Sequence, residues 1–135
     1  MLPSTLMGPG WLPRGGTLAS DIGTRWAACG QSNEWDPLRH VLLIAPPASL
    51  GDVTDANEAL FVGLPNLPLL RAQFEDVVAA YRSAGVTVTP WEPPRDAPPN
   101  VIFARDLLWM TPEGVVVARP AARQRAGEER IAALA

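Results

Sequence analysis

The chain has 135 residues, 47% hydrophobic and 19% charged, which fits one globular domain and argues against a long disordered tail. Its 14 acidic and 11 basic residues give a net charge of −3, every basic residue is arginine, and this acidic balance disfavours a nucleic-acid-binding surface. One cysteine, Cys29, and one histidine, His40, make neither an internal disulfide nor a Cys/His zinc site; no apolar run nears the roughly 20 residues that cross a bilayer, and Met1–Gly16 lacks the basic and apolar stretches of a signal peptide, so an unprocessed chain is expected. A cytoplasmic domain without a metal, a cofactor or a membrane partner is therefore expected.

Residues 1–20 are rich in proline and glycine and read as an irregular arm, with the folded part expected over 21–135. Asp21–Cys29 suits a short helical turn closed by Gly30. Leu38–Ala45 is a short apolar run stopped by Pro46-Pro47, which predicts a buried strand. Ser49–Pro65 has no period and reads as a long loop, a length more often found in lids than in idle connections. In Leu67–Ala84, residues Leu67, Leu70, Phe74, Val77, Val78 and Tyr81 recur at spacings of three and four and predict one apolar helix face. Gly85 suits a helix C-cap, and Val86–Val88 continue as a strand.

Further strands are predicted at Val101–Ala104, Leu107–Met110 and Gly114–Arg119, the last two joined by a turn at Thr111–Gly114. Glu128–Ala135 has the pattern of a helix start in which Ile131 and Leu134 lack apolar cover. The sum is an α/β chain.

Cys29, with only His40 and the nearby Arg25 on offer to activate it, is expected to be a small structural residue, and His40, inside an apolar run, a packed or hydrogen-bonded strand histidine. Asp106 is more informative. Strand alternation would set Phe103 and Arg105 on one face and Ala104 and Asp106 on the other, leaving a carboxylate between apolar stretches. Such a group needs a cation, because burying it alone costs several kcal/mol. Arg105 or Arg119 would serve as an ion-pair partner; alternatively, Asp106 receives a planar ligand cation, since carboxylates take guanidinium groups in a two-pronged bond. Downstream, Arg119, Arg123 and Arg125 precede the helix start and could hold a carboxylate, or pair with Glu128 or Glu129 in a solvated turn.

Several segments together resemble the guanidino-group-modifying enzymes of the pentein fold: arginine deiminases, dimethylarginine dimethylaminohydrolases and amidinotransferases. They are Arg25–Gly30 leading into Glu34–Leu43, Val53–Asn57 with Leu60-Phe61, the helix end Ser83–Val88, Pro99–Asp106, and Arg125–Glu128. The resemblance implies a partial pentein of about two of five ββαβ-like modules. It assigns the guanidinium contact to Asp106, as the residue with a part in catalysis, and substrate-pocket roles to Asn100 and Phe103. Arg125 falls where the family's Arg-Arg-x-Glu stretch grips an α-carboxylate, although Ala126 replaces its second arginine.

The nucleophilic cysteine and proton-shuttling histidine of that family match no residue here. The resemblance thus implies the N-terminal, substrate-binding portion of an arginine-type hydrolase or amidinotransferase that works through a covalent cysteine intermediate, inactive alone. A completing C-terminal chain or a homo-oligomer is the expected partner, and an arginine-like guanidino molecule the expected ligand. A non-catalytic guanidinium-binding module and a non-functional gene fragment are the alternatives.

Overall fold

A computed structural model of the chain describes residues 7–13, 15–16, 20, 33–112 and 114–135. The turn expected at Asp21–Cys29 lies outside them, and so does Cys29 itself.

Two strands, β1 (His40–Ile44) and β2 (Thr87–Trp91), pair in parallel, with His40 opposite Thr87 and Ile44 opposite Trp91. A parallel pair cannot be joined by a tight turn, and the crossover is the long loop followed by helix α1 (Leu67–Ser83). Asn66 starts α1 by accepting the Leu69 N–H at 3.1 Å, and Pro68 fits the first turn, where an amide hydrogen has no helical partner. Gly85, at φ 80°, ends it: the Val86 N–H reaches the Tyr81 carbonyl at 3.0 Å and the Gly85 N–H reaches Arg82 at 3.0 Å, the two bonds of a Schellman cap. Val78 is buried on the inward face with Leu67, Leu70, Phe74 and Tyr81 half-buried beside it, whereas Val77, expected on that face, is exposed. The Thr87 N–H donates to the Arg39 carbonyl and the Trp91 carbonyl accepts the Ala45 N–H, at the two ends of β1, so Pro90 turns its missing N–H away from the partner strand.

The antiparallel hairpin of β3 (Leu108–Thr111) and β4 (Gly114–Val117) forms a second two-stranded sheet, so β4 is shorter than the expected Gly114–Arg119. The short helix α2 (Glu128–Ala132) closes the described chain. Ile44, Ala97, Val101, Leu107 and Ala132 form the core, with Trp91, Leu108 and Ile131 packed against it. Ile131 is thus covered, contrary to expectation, while Leu134 is 68% exposed, as expected.

The predicted strand at Val101–Ala104 does not form. Two 3-10 turns, Pro99–Ile102 and Ala104–Asp106, take its place. Pro99 pre-sets the first turn, and bonds from the N–H of Val101 to Pro98, Phe103 to Asn100 and Asp106 to Phe103, all between 3.0 and 3.1 Å, satisfy the backbone locally without a neighbouring strand. Helical spacing then buries Val101 and Leu107 and leaves Phe103, Arg105 and Asp106 all exposed, which removes the expected alternation of faces.

Candidate guanidinium site

The two 3-10 turns set Asp106 beside a further 3-10 turn, Arg123–Arg125, which leads through Ala126 and Gly127 into α2. Gly127 has φ 97°, a conformation that side chains resist, and this reversal folds Glu128 back toward Arg125. Arg125 Nη1 lies 2.8 Å from Asp106 Oδ2, and Arg125 Nε lies 2.9 Å from Glu128 Oε2. The same guanidinium stands 6.0 Å from the centre of the Phe103 ring, at the outer range of cation–π attraction. Three of the four residues assigned by resemblance, Phe103, Asp106 and Arg125, therefore come together across a separation of about twenty residues, as the 19-residue span from Asp106 to Arg125 shows.

Burial differs sharply within this group. The Glu128 side chain is 0% exposed, Arg125 is 16% exposed and Asp106 is 51% exposed. Burial pushes the Glu128 carboxyl above its ordinary range, against the pull of Arg125. Burial also works against the charge on Arg125, but its bonds to Asp106 and Glu128 outweigh that and raise its pKa. Two buried atoms, Arg125 Nη2 and Glu128 Oε1, have no hydrogen-bond partner. Neither Arg105 nor Arg119, the partners expected from proximity, makes the Asp106 ion pair; Arg125 does.

Glu128 is the residue that sequence reasoning undervalued, as a solvated helix-start acid. Its signal was the spacing to Arg125: three residues, with apolar Ile131 and Ala132 following on the same short helix.

Asn100 faces a different task. Buried in the first 3-10 turn, it donates through Nδ2 to the Ala59 carbonyl at 2.8 Å and so ties the long loop to the site-bearing segment. Ser49 adds a second tie, from its hydroxyl to the Ala97 carbonyl. The loop is itself folded: Asp55 Oδ1 accepts the N–H groups of Asn57 and Glu58 at 2.8 and 3.2 Å, an Asx-type turn. Replacing Asn100 with alanine leaves the half-buried Ala59 carbonyl without its donor and should cost about 1 kcal/mol, read as a lower urea midpoint with faster amide exchange across residues 55–61.

Among the described residues, no group of three His, Cys, Asp or Glu side chains converges to hold a metal ion, and no helix is long and apolar enough to cross a membrane. No protein-family model and no curated protein matches the sequence. Solved structures of dimethylarginine dimethylaminohydrolase do match, each over 70% of this chain. A histidine-to-glycine variant in an adduct with S-methyl-L-thiocitrulline has 25% identity and a TM-score of 0.57, with 36% of that chain covered. A cysteine-to-serine variant from Pseudomonas aeruginosa, complexed with citrulline, has 24% identity and a TM-score of 0.57, with 35% covered. The adduct with 4-chloro-2-hydroxymethylpyridine has 23% identity and a TM-score of 0.56, with 34% covered. This chain spans about a third of the length of those it matches. Over most of its length it is built on the pentein fold of the dimethylarginine dimethylaminohydrolases, one of the guanidino-modifying enzymes that its sequence motifs resemble.

Proposed function

We propose that this chain is the guanidinium-binding portion of an arginine-type guanidino hydrolase or amidinotransferase and contributes about two of the fold's five ββαβ-like modules. Asp106 receives the ligand guanidinium, Phe103 flanks it, and Arg125 takes the α-carboxylate. Asn100 acts from behind by holding the loop. The covalent step, attack of a cysteine thiolate on the guanidinium carbon, belongs to residues supplied by another part of the assembled fold, and a reducing cytoplasm would keep such a thiol available.

One observation carries this reading: Asp106, half-exposed, already holds a guanidinium group at 2.8 Å, that of Arg125, near an aromatic ring. A carboxylate in that setting has the geometry and the access to hold a ligand's guanidinium. The ligands of the matched structures, citrulline and S-methyl-L-thiocitrulline, are amino acids, which supports a carboxylate contact at Arg125. A completing chain or second copy is supported by the β3–β4 hairpin, whose Trp109, Met110, Val115, Val116 and Val117 are all exposed.

The test is calorimetric titration of the chain with L-arginine and with agmatine, the decarboxylated analogue. Asp106→Asn keeps the shape and removes the charge, and should weaken both ligands by roughly tenfold or more, the worth of a charged hydrogen bond. Unchanged affinities for both would remove Asp106 from the guanidinium role.

A further inference from the structure

We propose that the Asp106–Arg125 pair is a specificity latch, an internal guanidinium that competes for Asp106 and yields more readily to ligands carrying both a guanidinium and a carboxylate than to those carrying a guanidinium alone. The inference rests on Asp106 being the guanidinium receptor, as set out above. Arg125 Nη1 now occupies Asp106 Oδ2 at 2.8 Å. A ligand that offers a guanidinium alone must displace Arg125 or share one carboxylate with a second cation, and it gives nothing back to the arginine it displaces.

Three features make the pair releasable. Asp106 is half-exposed, so the contact is only partly desolvated. Arg125 is not stranded when it lets go, because its Nε stays on the fully buried Glu128 at 2.9 Å. Its Nη2 is buried and carries donors that no acceptor uses, so a carboxylate reaches it only when the pair opens. Once Nη1 is freed, Nη1 and Nη2 together form the end-on fork that fits a carboxylate. A two-ended ligand thus replaces one internal pair with two: its guanidinium on Asp106 and its carboxylate on Arg125. A one-ended ligand breaks the pair and restores half of it. Glu128 is the positioning residue of this device, since it keeps Arg125 charge-balanced in both the closed and the released arrangement.

The distinguishing result concerns agmatine. If Arg125 were only a carboxylate clamp, removing it would leave agmatine binding untouched; as a latch, its removal must tighten agmatine. Arg125→Met combined with Glu128→Leu removes the arginine without leaving a buried charge. This double variant should bind agmatine about fivefold more tightly, the worth of a partly exposed ion pair, and L-arginine more weakly, so that discrimination between the two collapses. Arg125→Lys is the second variant: it leaves a cation for Glu128 but lacks the fork, and should shift agmatine in the same direction. Calorimetry with both ligands on the wild type, these two variants and Asp106→Asn reads the outcome. Agmatine affinity unchanged or reduced in both Arg125 variants, with Asp106→Asn still weakening both ligands, overturns the latch and leaves the Asp106 assignment standing. No loss on Asp106→Asn, or no binding to any of the four proteins, overturns the assignment and the latch together.

Discussion

Arg125→Ala should destabilise the chain by about 3–5 kcal/mol, the penalty for leaving one member of a buried ion pair without its partner. The stranded group is Glu128, whose side chain has no exposure to water and whose Oε2 loses its 2.9 Å contact. The other oxygen, Oε1, already lacks a partner, so nothing in the site compensates. For a chain of this size, that loss corresponds to a fall in melting temperature on the order of 10 °C or more. The double replacement Arg125→Met with Glu128→Leu should recover most of it, because two apolar side chains of similar volume leave no charge to desolvate. A single variant as stable as wild type would show that Glu128 reaches water.

The pH dependence of that penalty has a definite sign. Burial raises the Glu128 carboxyl above 4.5 in the folded chain, despite Arg125, and loss of the arginine removes the chief force opposing the rise. The folded state then binds the proton more tightly than the unfolded state, so stability from this group falls as pH climbs through the range between the ordinary and the raised value. The gap between Arg125→Ala and wild type should be widest near neutrality and shrink as Glu128 becomes protonated. Urea midpoints measured across that range would show it.

Leu107→Ala should cost about 2–5 kcal/mol, the range for truncating a buried leucine. Leu107 is 0% exposed at the centre of the core, between Val101 on the first 3-10 turn and Ala132 on α2. Its carbonyl accepts the Ala118 N–H at 2.8 Å and its N–H donates to Ala104 at 2.9 Å, so the same residue fixes the hairpin and the turn that carries Asp106. Loss of packing there should therefore weaken ligand binding along with stability. Trp109→Ala, two residues on, is the control: at 69% exposure it should change stability by less than about 0.5 kcal/mol. Equal losses from the two substitutions would mean that the hairpin is covered in solution.

Periodicity and capping made much of this fold legible. The Leu67–Ala84 stripe, its Gly85 stop, the strand after it and the hairpin turn depend on interactions within a few residues, and those are written locally. The stretch from Pro99 to Asp106 was not legible in the same way. Phe103 and Ala104 look alternating in the text, yet the two prolines before them and the pull of Val101 and Leu107 into one core favour tight turns. In the site, the residue types were readable but the pairing was not. Asp106 and Arg125 meet only across a 19-residue separation, and Glu128 is buried where α2 packs through Ala132 against Val101 and Leu107. Tertiary contacts decide both, and no short window contains them.

Pro90 gives the small parallel sheet a direction of growth. Arg39 and Ala45 bond to β2, so the alternation of the strand turns the N–H groups of His40, Leu42 and Ile44 to the far side of β1. On the far side of β2, the corresponding positions are Val88 and Pro90, and proline has no hydrogen to donate. A third strand would therefore find three successive donors beside β1 but only one beside β2. Any extension of this sheet, by more of the fold or by a second chain, is favoured along β1, while the β2 side is left as a terminus.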